Sequence, residues 1–180
     1  MQKIKIEKAF NYAFWGMLLL IFNININNIN ILPGFIGYIM LLMTLDTFVT
    51  KRKELIDTLC IACIGINALD WINHIFNLLG DGLISFLFNY MGRFAAIAFM
   101  ALYLTEVVRF LREDMNYDEE GARLQSFRDI LFIGELIALL PLGVIALIAV
   151  IVCLVVLIMI CILFYQIKKR VTEELRNGEY

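Results

Sequence analysis

Histidine and proline are nearly missing from this sequence, and no recognisable catalytic arrangement is present. It has one histidine, His74, and two prolines, Pro33 and Pro141. A metal centre needs three or four ligands. Asp70, one helical turn before His74, offers a second, and no other segment offers a third at that depth. There is no H-E-x-x-H and no serine beside a base. No catalytic, cofactor-binding or metal-binding residue is therefore assigned. Charge is also sparse, at 18% of residues against about 25% in an ordinary soluble domain. A net charge of −2 leaves no basic field to hold nucleic acid.

Apolar residues fill the space that charge leaves. They make up 62% of the chain, and mean hydropathy is +0.83. A soluble protein of this size has no interior large enough for them. They also come in blocks of about 20, which is the thickness of a bilayer core in helical residues. The expected fold is all-α: a polytopic transmembrane helical bundle of six spans, about 9–24, 31–49, 55–79, 83–108, 129–140 and 144–164. It forms a single transmembrane domain over 1–180, with 109–128 as a polar cytoplasmic loop containing short interfacial helix and 165–180 as a cytoplasmic tail.

Three boundaries need separate arguments. The first apolar block has no small-x-small cleavage site after it, so it reads as a retained span. The run Asn23 to Asn30 alternates isoleucine with asparagine. That suggests extended backbone, but no partner strand stands elsewhere, so it reads as an interfacial loop. The apolar stretch 127–166 would be about 60 Å long as one helix, twice a bilayer core. Pro141 and Gly143 offer a break there, at the external face.

Orientation follows from the basic residues. Lys3, Lys5 and Lys8 precede span one, and Lys51, Arg52 and Lys53 follow span two. Arg109, Arg112, Arg123 and Arg128 follow span four, and Lys168, Lys169, Arg170 and Arg176 follow span six. With six spans these fourteen fall on one side, and the fifteenth, Arg93, lies inside span four. The positive-inside rule makes that side cytoplasmic, with both termini on it. The expected location is the bacterial cytoplasmic membrane, multi-pass, with the lipid bilayer as first partner.

Span three carries the informative pattern. Asp57, Cys60, Cys63, Asn67, Asp70, His74 and Asn77 recur at steps of 3 or 4 and share one helix face. Such a face cannot point at lipid. Span four carries Ser85, Asn89 and Arg93 at steps of 4. The turn Gly80-Asp81-Gly82 makes the two spans antiparallel neighbours. At about 1.5 Å per residue, Asp70 lies about 13 Å and Arg93 about 15 Å from the external end, so the two can meet. Asn67, Asp70, His74, Asn89 and Arg93 are the candidate lining of a solute or ion path, because ionisable groups inside spans are functional candidates by default. The plain alternative is that they fix helix register. Asp46, Glu106 and Glu135 are placed near cytoplasmic helix ends, solvated or paired with nearby basic residues. The Cys60-x-x-Cys63 pair reads as small helix residues on the reducing side rather than a redox centre.

The segment Ile31-Leu32-Pro33-Gly34-Phe35-Ile36-Gly37-Tyr38 resembles an I-L-P-[DG]-F-I-G-Y run that opens the second span in uncharacterised small bacterial polytopic membrane proteins. Size, span count and orientation are similar to the substrate-binding subunits of energy-coupling-factor vitamin transporters. Those carry an A-x-x-x-A face in the first span that docks a partner. Ala9 and Ala13 match that spacing, here among the bulkier Phe10, Asn11 and Tyr12. The resemblance implies a small-solute transport or solute-binding component, with a polar cavity between spans three and four. Two other readings stand beside it. One is a non-catalytic accessory subunit whose acidic cytoplasmic loop binds a protein partner. The other is a small intramembrane enzyme using Asp70 and His74 as acid and base.

Overall fold

Long apolar blocks joined by short polar links give helices that must satisfy their own backbone and bury only part of their surface. The computed structural model describes residues 2–22, 25–26, 29–30, 33–49, 51–76 and 83–177. Among them are six α-helices: α1 Gln2–Ile21, α2 Gly34–Phe48, α3 Lys53–Phe76, α4 Leu83–Arg109, α5 Asp118–Ala138 and α6 Val144–Arg176. Each packs on its sequence neighbours, and α6 closes on α1, so the packing order is cyclic.

Aromatic side chains fill much of the interior. Phe10 lies 4.8 Å from Phe48 and 6.0 Å from Phe164, ring centre to ring centre. Phe48 continues to Phe110, and Tyr103 to Phe99 and on to Tyr38. Such tilted, edge-on and stacked contacts add to plain burial.

Side-chain contacts define one end of the bundle. Lys168 Nζ donates to Asn11 Oδ1 at 2.7 Å and the Thr172 hydroxyl to Glu7 at 3.1 Å, so the start of α1 lies beside the end of α6. Arg170 donates to Glu120 at 2.6 Å, adding the start of α5. The Lys51 N–H, in the α2–α3 link, approaches the Glu106 carboxylate near the end of α4 at 3.4 Å. Every described lysine and arginine except Arg93 lies at or toward this end.

Among the described residues, three helices are long and apolar enough to cross a membrane: Lys53–Asn73, Tyr90–Asp114 and Val144–Arg176. A shorter apolar helix spans Gly34–Phe48. The outer face of α6 leaves Val144, Ile145, Leu147, Ile148 and Ile151 more than half exposed, an apolar surface suited to lipid rather than water.

Several sequence boundaries are corrected. Residues 109–128 are not a loop: α4 runs into a π-helical turn, Phe110–Asp114, and α5 starts at Asp118. Charged residues on a helix end escape an apolar-block reading, although Asp118, Glu119 and Glu120 suit a helix N-terminus. Only Met115 to Tyr117 links the two, with Asn116 at φ 56°, a left-handed angle asparagine tolerates. The fifth helix is therefore much longer than 129–140, and α6 runs past 164 to Arg176. The alternating run does find a strand partner, namely itself: Asn25 pairs with Asn30 and Ile26 with Ile29, antiparallel. Residues 139–143 break the last apolar stretch, with Gly143 at φ 56° and ψ −117°, a backbone open to glycine. Asn77 and the turn Gly80-Asp81-Gly82 lie outside the described residues.

Candidate functional site

The polar face of α3 turns inward along its first half. Cys60 and Cys63 are buried, and the Cys60 thiol donates to the Tyr38 carbonyl of α2 at 3.4 Å. All four cysteines are free. One and two turns further on, Asn67 and Asp70 reach open space. The Asn67 amide donates to the Cys63 carbonyl at 2.8 Å. Asp70 is engaged by a partner of its own.

Two cavities meet here. The smaller, about 140 Å³, lies between α3 and α4 beneath Tyr38, and its wall includes Asn67, Asp70, Phe88 and Arg93. The larger, about 260 Å³, is lined from every helix: Leu20 of α1, Gly34 and Tyr38 of α2, Asn67 of α3, Arg93 to Leu104 of α4, Arg128 to Glu135 of α5 and Leu157 of α6. Tyr38, Asn67, Arg93 and Ala96 belong to both walls. The larger cavity follows α4 from Arg93 to Leu104, twelve residues and roughly 16 Å of helix axis. Its polar side chains are few and its middle is apolar, the usual make-up of a small-molecule site.

Of the five candidates, the structure brings Asn67, Asp70 and Arg93 to the walls of these cavities. The side chains of His74 and Asn89 lie outside the described residues. An acid–base role for Asp70 with His74 therefore gains nothing from the geometry. Among the described residues no cluster of histidine, cysteine and carboxylate groups is placed to hold a metal.

The sequence reading placed only the second half of α5, from 129, in a span. Glu135 was assigned to the cytoplasmic end of a span; it lies on the wall of the larger cavity. Arg128 lies on the same wall, donating to Thr105 Oγ1 at 3.1 Å and to Asp129 Oδ1 at 2.6 Å. The signal was available. Arg128, Leu131, Phe132 and Glu135 are spaced i, i+3, i+4, i+7, one face of one helix. It went unused because the stretch from 109 to 128 was read as a loop. Asp46 and Glu106 do pair with nearby basic residues, Lys53 and Arg109.

Comparison with protein-family models, with curated proteins and with solved structures gives no match. The class is a helical bundle in which, among the described residues, three helices are long and apolar enough to cross a membrane, with a cavity between the helices.

Proposed function

We propose that this chain is a six-span protein of the bacterial cytoplasmic membrane, with both termini in the cytoplasm, that binds or carries a small solute through its interior. The observation that carries the reading is the meeting of the two cavities at Tyr38, Asn67, Arg93 and Ala96. The smaller extends toward Asp70, the larger toward Arg128 at the basic end. A charged group such as Arg93 costs at least about 2.5–3.5 kcal/mol in mid-membrane, and an aqueous or ligand-filled cavity offsets that cost. The likeness to energy-coupling-factor subunits supports the solute-binding part. It does not extend to partner docking through the first span, because Ala9 and Ala13 are buried in the chain's own core.

The test is aqueous access. The four native cysteines are replaced by alanine and Ala96 by cysteine. The variant is reconstituted in liposomes and treated with a small water-soluble methanethiosulfonate. Labelling of Ala96→Cys is expected. Failure to label, while Ser126→Cys on the exposed face of α5 reacts, would remove the reading.

The accessory-subunit reading keeps one observation in its favour. Glu113, Asp114, Asp118 and Glu119 are exposed together around the α4–α5 link, an acidic surface open to a basic protein partner.

A further inference from the structure

Arg93 and Glu135 are the charged side chains on the wall of the larger cavity that have no hydrogen-bond or ion-pair partner among the described residues. They stand on different helices, α4 and α5. Among the described residues the two are not in ion-pair contact with each other. Their wall-mate Arg128 differs, since Asp129 and Thr105 already take its donors. Arg93 is exposed and Glu135 half-buried, and inside a bilayer such unpaired charges on a weakly polar wall are costly unless a ligand or water meets them. The same wall carries aliphatic and aromatic side chains, among them Ile97, Met100, Leu131, Phe132 and Leu157. A volume of about 260 Å³ lies just under the roughly 300–1,000 Å³ of drug-sized sites, which fits one small molecule.

We propose that the cavity takes a small zwitterion with an apolar body, of the aliphatic amino-acid class. The ligand carboxylate pairs with the Arg93 guanidinium, in the planar geometry that arginine favours. The ligand ammonium pairs with the Glu135 carboxylate, and the apolar body lies against the Ile97, Met100, Leu131 and Phe132 side chains. A simple anion would leave Glu135 bare and a simple cation would leave Arg93 bare. This inference rests on the cavity being the solute site argued above.

The experiment uses the full chain in lipid nanodiscs and three probes of one shape. Leucine carries both charges. 4-Methylpentanoate lacks the ammonium, and 3-methylbutylamine lacks the carboxylate. Titration calorimetry is expected to show leucine binding, with each half-probe roughly tenfold or more weaker. Glu135→Gln should erase the advantage of leucine over 4-methylpentanoate. Arg93→Gln should erase its advantage over 3-methylbutylamine. Should either glutamine variant fail to fold, Glu135→Asp and Arg93→Lys keep the charge and shift it, and each should weaken leucine more than it weakens the half-probe that lacks the matching group. Binding of 4-methylpentanoate as tight as that of leucine overturns the zwitterion and leaves the solute cavity standing. No binding of any probe, with Ala96→Cys labelled, also overturns the zwitterion. An unlabelled Ala96→Cys overturns the solute cavity itself.

Discussion

Gly16 of α1 and Gly37 of α2 pack backbone against backbone. A Cβ on Gly16 would lie 2.9 Å from the Gly37 carbonyl oxygen, and a Cβ on Gly37 would lie 2.8 Å from the Gly16 carbonyl oxygen. Small residues that let helices approach this closely are the common device of membrane bundles. Alanine gains about 1 kcal/mol over glycine in helix propensity. Here the clash is with backbone, which cannot rotate away, so overpacking of about 1–3 kcal/mol outweighs that gain. Gly16→Ala and Gly37→Ala should each lower the unfolding temperature in detergent. Gly65→Ala is the control: no atom lies within 4 Å of its added carbon, so only the propensity gain remains. Equal effects at all three positions would contradict the close crossing.

Glu106 and Arg109 form the most buried ion pair among the described residues, at 2.5 Å with side chains 8% and 14% exposed. Asp46 and Lys53 form a pair that is 68% and 44% exposed. Removing one partner of a buried pair costs about 3–5 kcal/mol, because the other charge stays behind. A surface pair is worth about 0–1 kcal/mol. Glu106→Ala should therefore be severely destabilising and Asp46→Ala nearly silent in the same unfolding assay. Similar losses from both would mean that water reaches Arg109.

What the sequence made legible was set by periodicity. The break at Pro141 and Gly143 falls between helices as expected, and Pro33, read inside the first turn of span two, instead caps α2 just before Gly34, because helix ends there depend on local backbone chemistry. The inward face of α3 was legible for the same reason, down to Cys60, Asn67 and Asp70. Glu135 was not. Its assignment depended on where α5 begins, and a charged helix end looks like a loop when polarity is the only guide. The self-pairing of Asn25 to Asn30 was missed because a partner was sought far along the chain instead of across one turn. Closure of α6 on α1 depends on Phe10, Phe164, Asn11 and Lys168 meeting across about 150 residues, which no local pattern encodes.

Tyr117 fastens the start of α5 to the end of α6, at the basic end of the bundle. Its hydroxyl donates to Glu174, and the Arg170 guanidinium sits 4.2 Å above its ring. Burial, then the hydrogen bond to the Glu174 carboxylate, holds its hydroxyl well above the usual tyrosine range. A group whose folded value is raised adds stability below its unfolded value, near 10, and loses it as pH climbs toward the folded value. Thermal unfolding followed from about pH 8 to about pH 11 should thus show an alkaline loss that is smaller in Tyr117→Phe. Identical alkaline slopes in the two proteins would show that the hydroxyl is free to ionise.

The basic end of the bundle sets the last expectation. The start of α1, the α2–α3 link with the start of α3, the end of α4 with its π-helical turn, the first half of α5 and the end of α6 share it, and they hold every described lysine and arginine but Arg93. Cytoplasmic loops retain positive charge, so this end should face the cytoplasm. Asn27 lies between α1 and α2, away from that end in sequence, and Ser126 lies on the exposed side of α5 within the segment that carries Arg123 and Arg128. With native cysteines replaced, Asn27→Cys should react with an impermeant maleimide in intact cells, and Ser126→Cys should react only after permeabilisation. Replacing Lys51, Arg52 and Lys53 by glutamine removes three of the charges that hold α2 and α3 in place, and should let a fraction of the chains insert inverted. That fraction would appear as Ser126→Cys labelling in intact cells. Labelling of both cysteines from outside in the unaltered background would mean that an odd number of crossings separates the basic segments, and the six-span arrangement would fall.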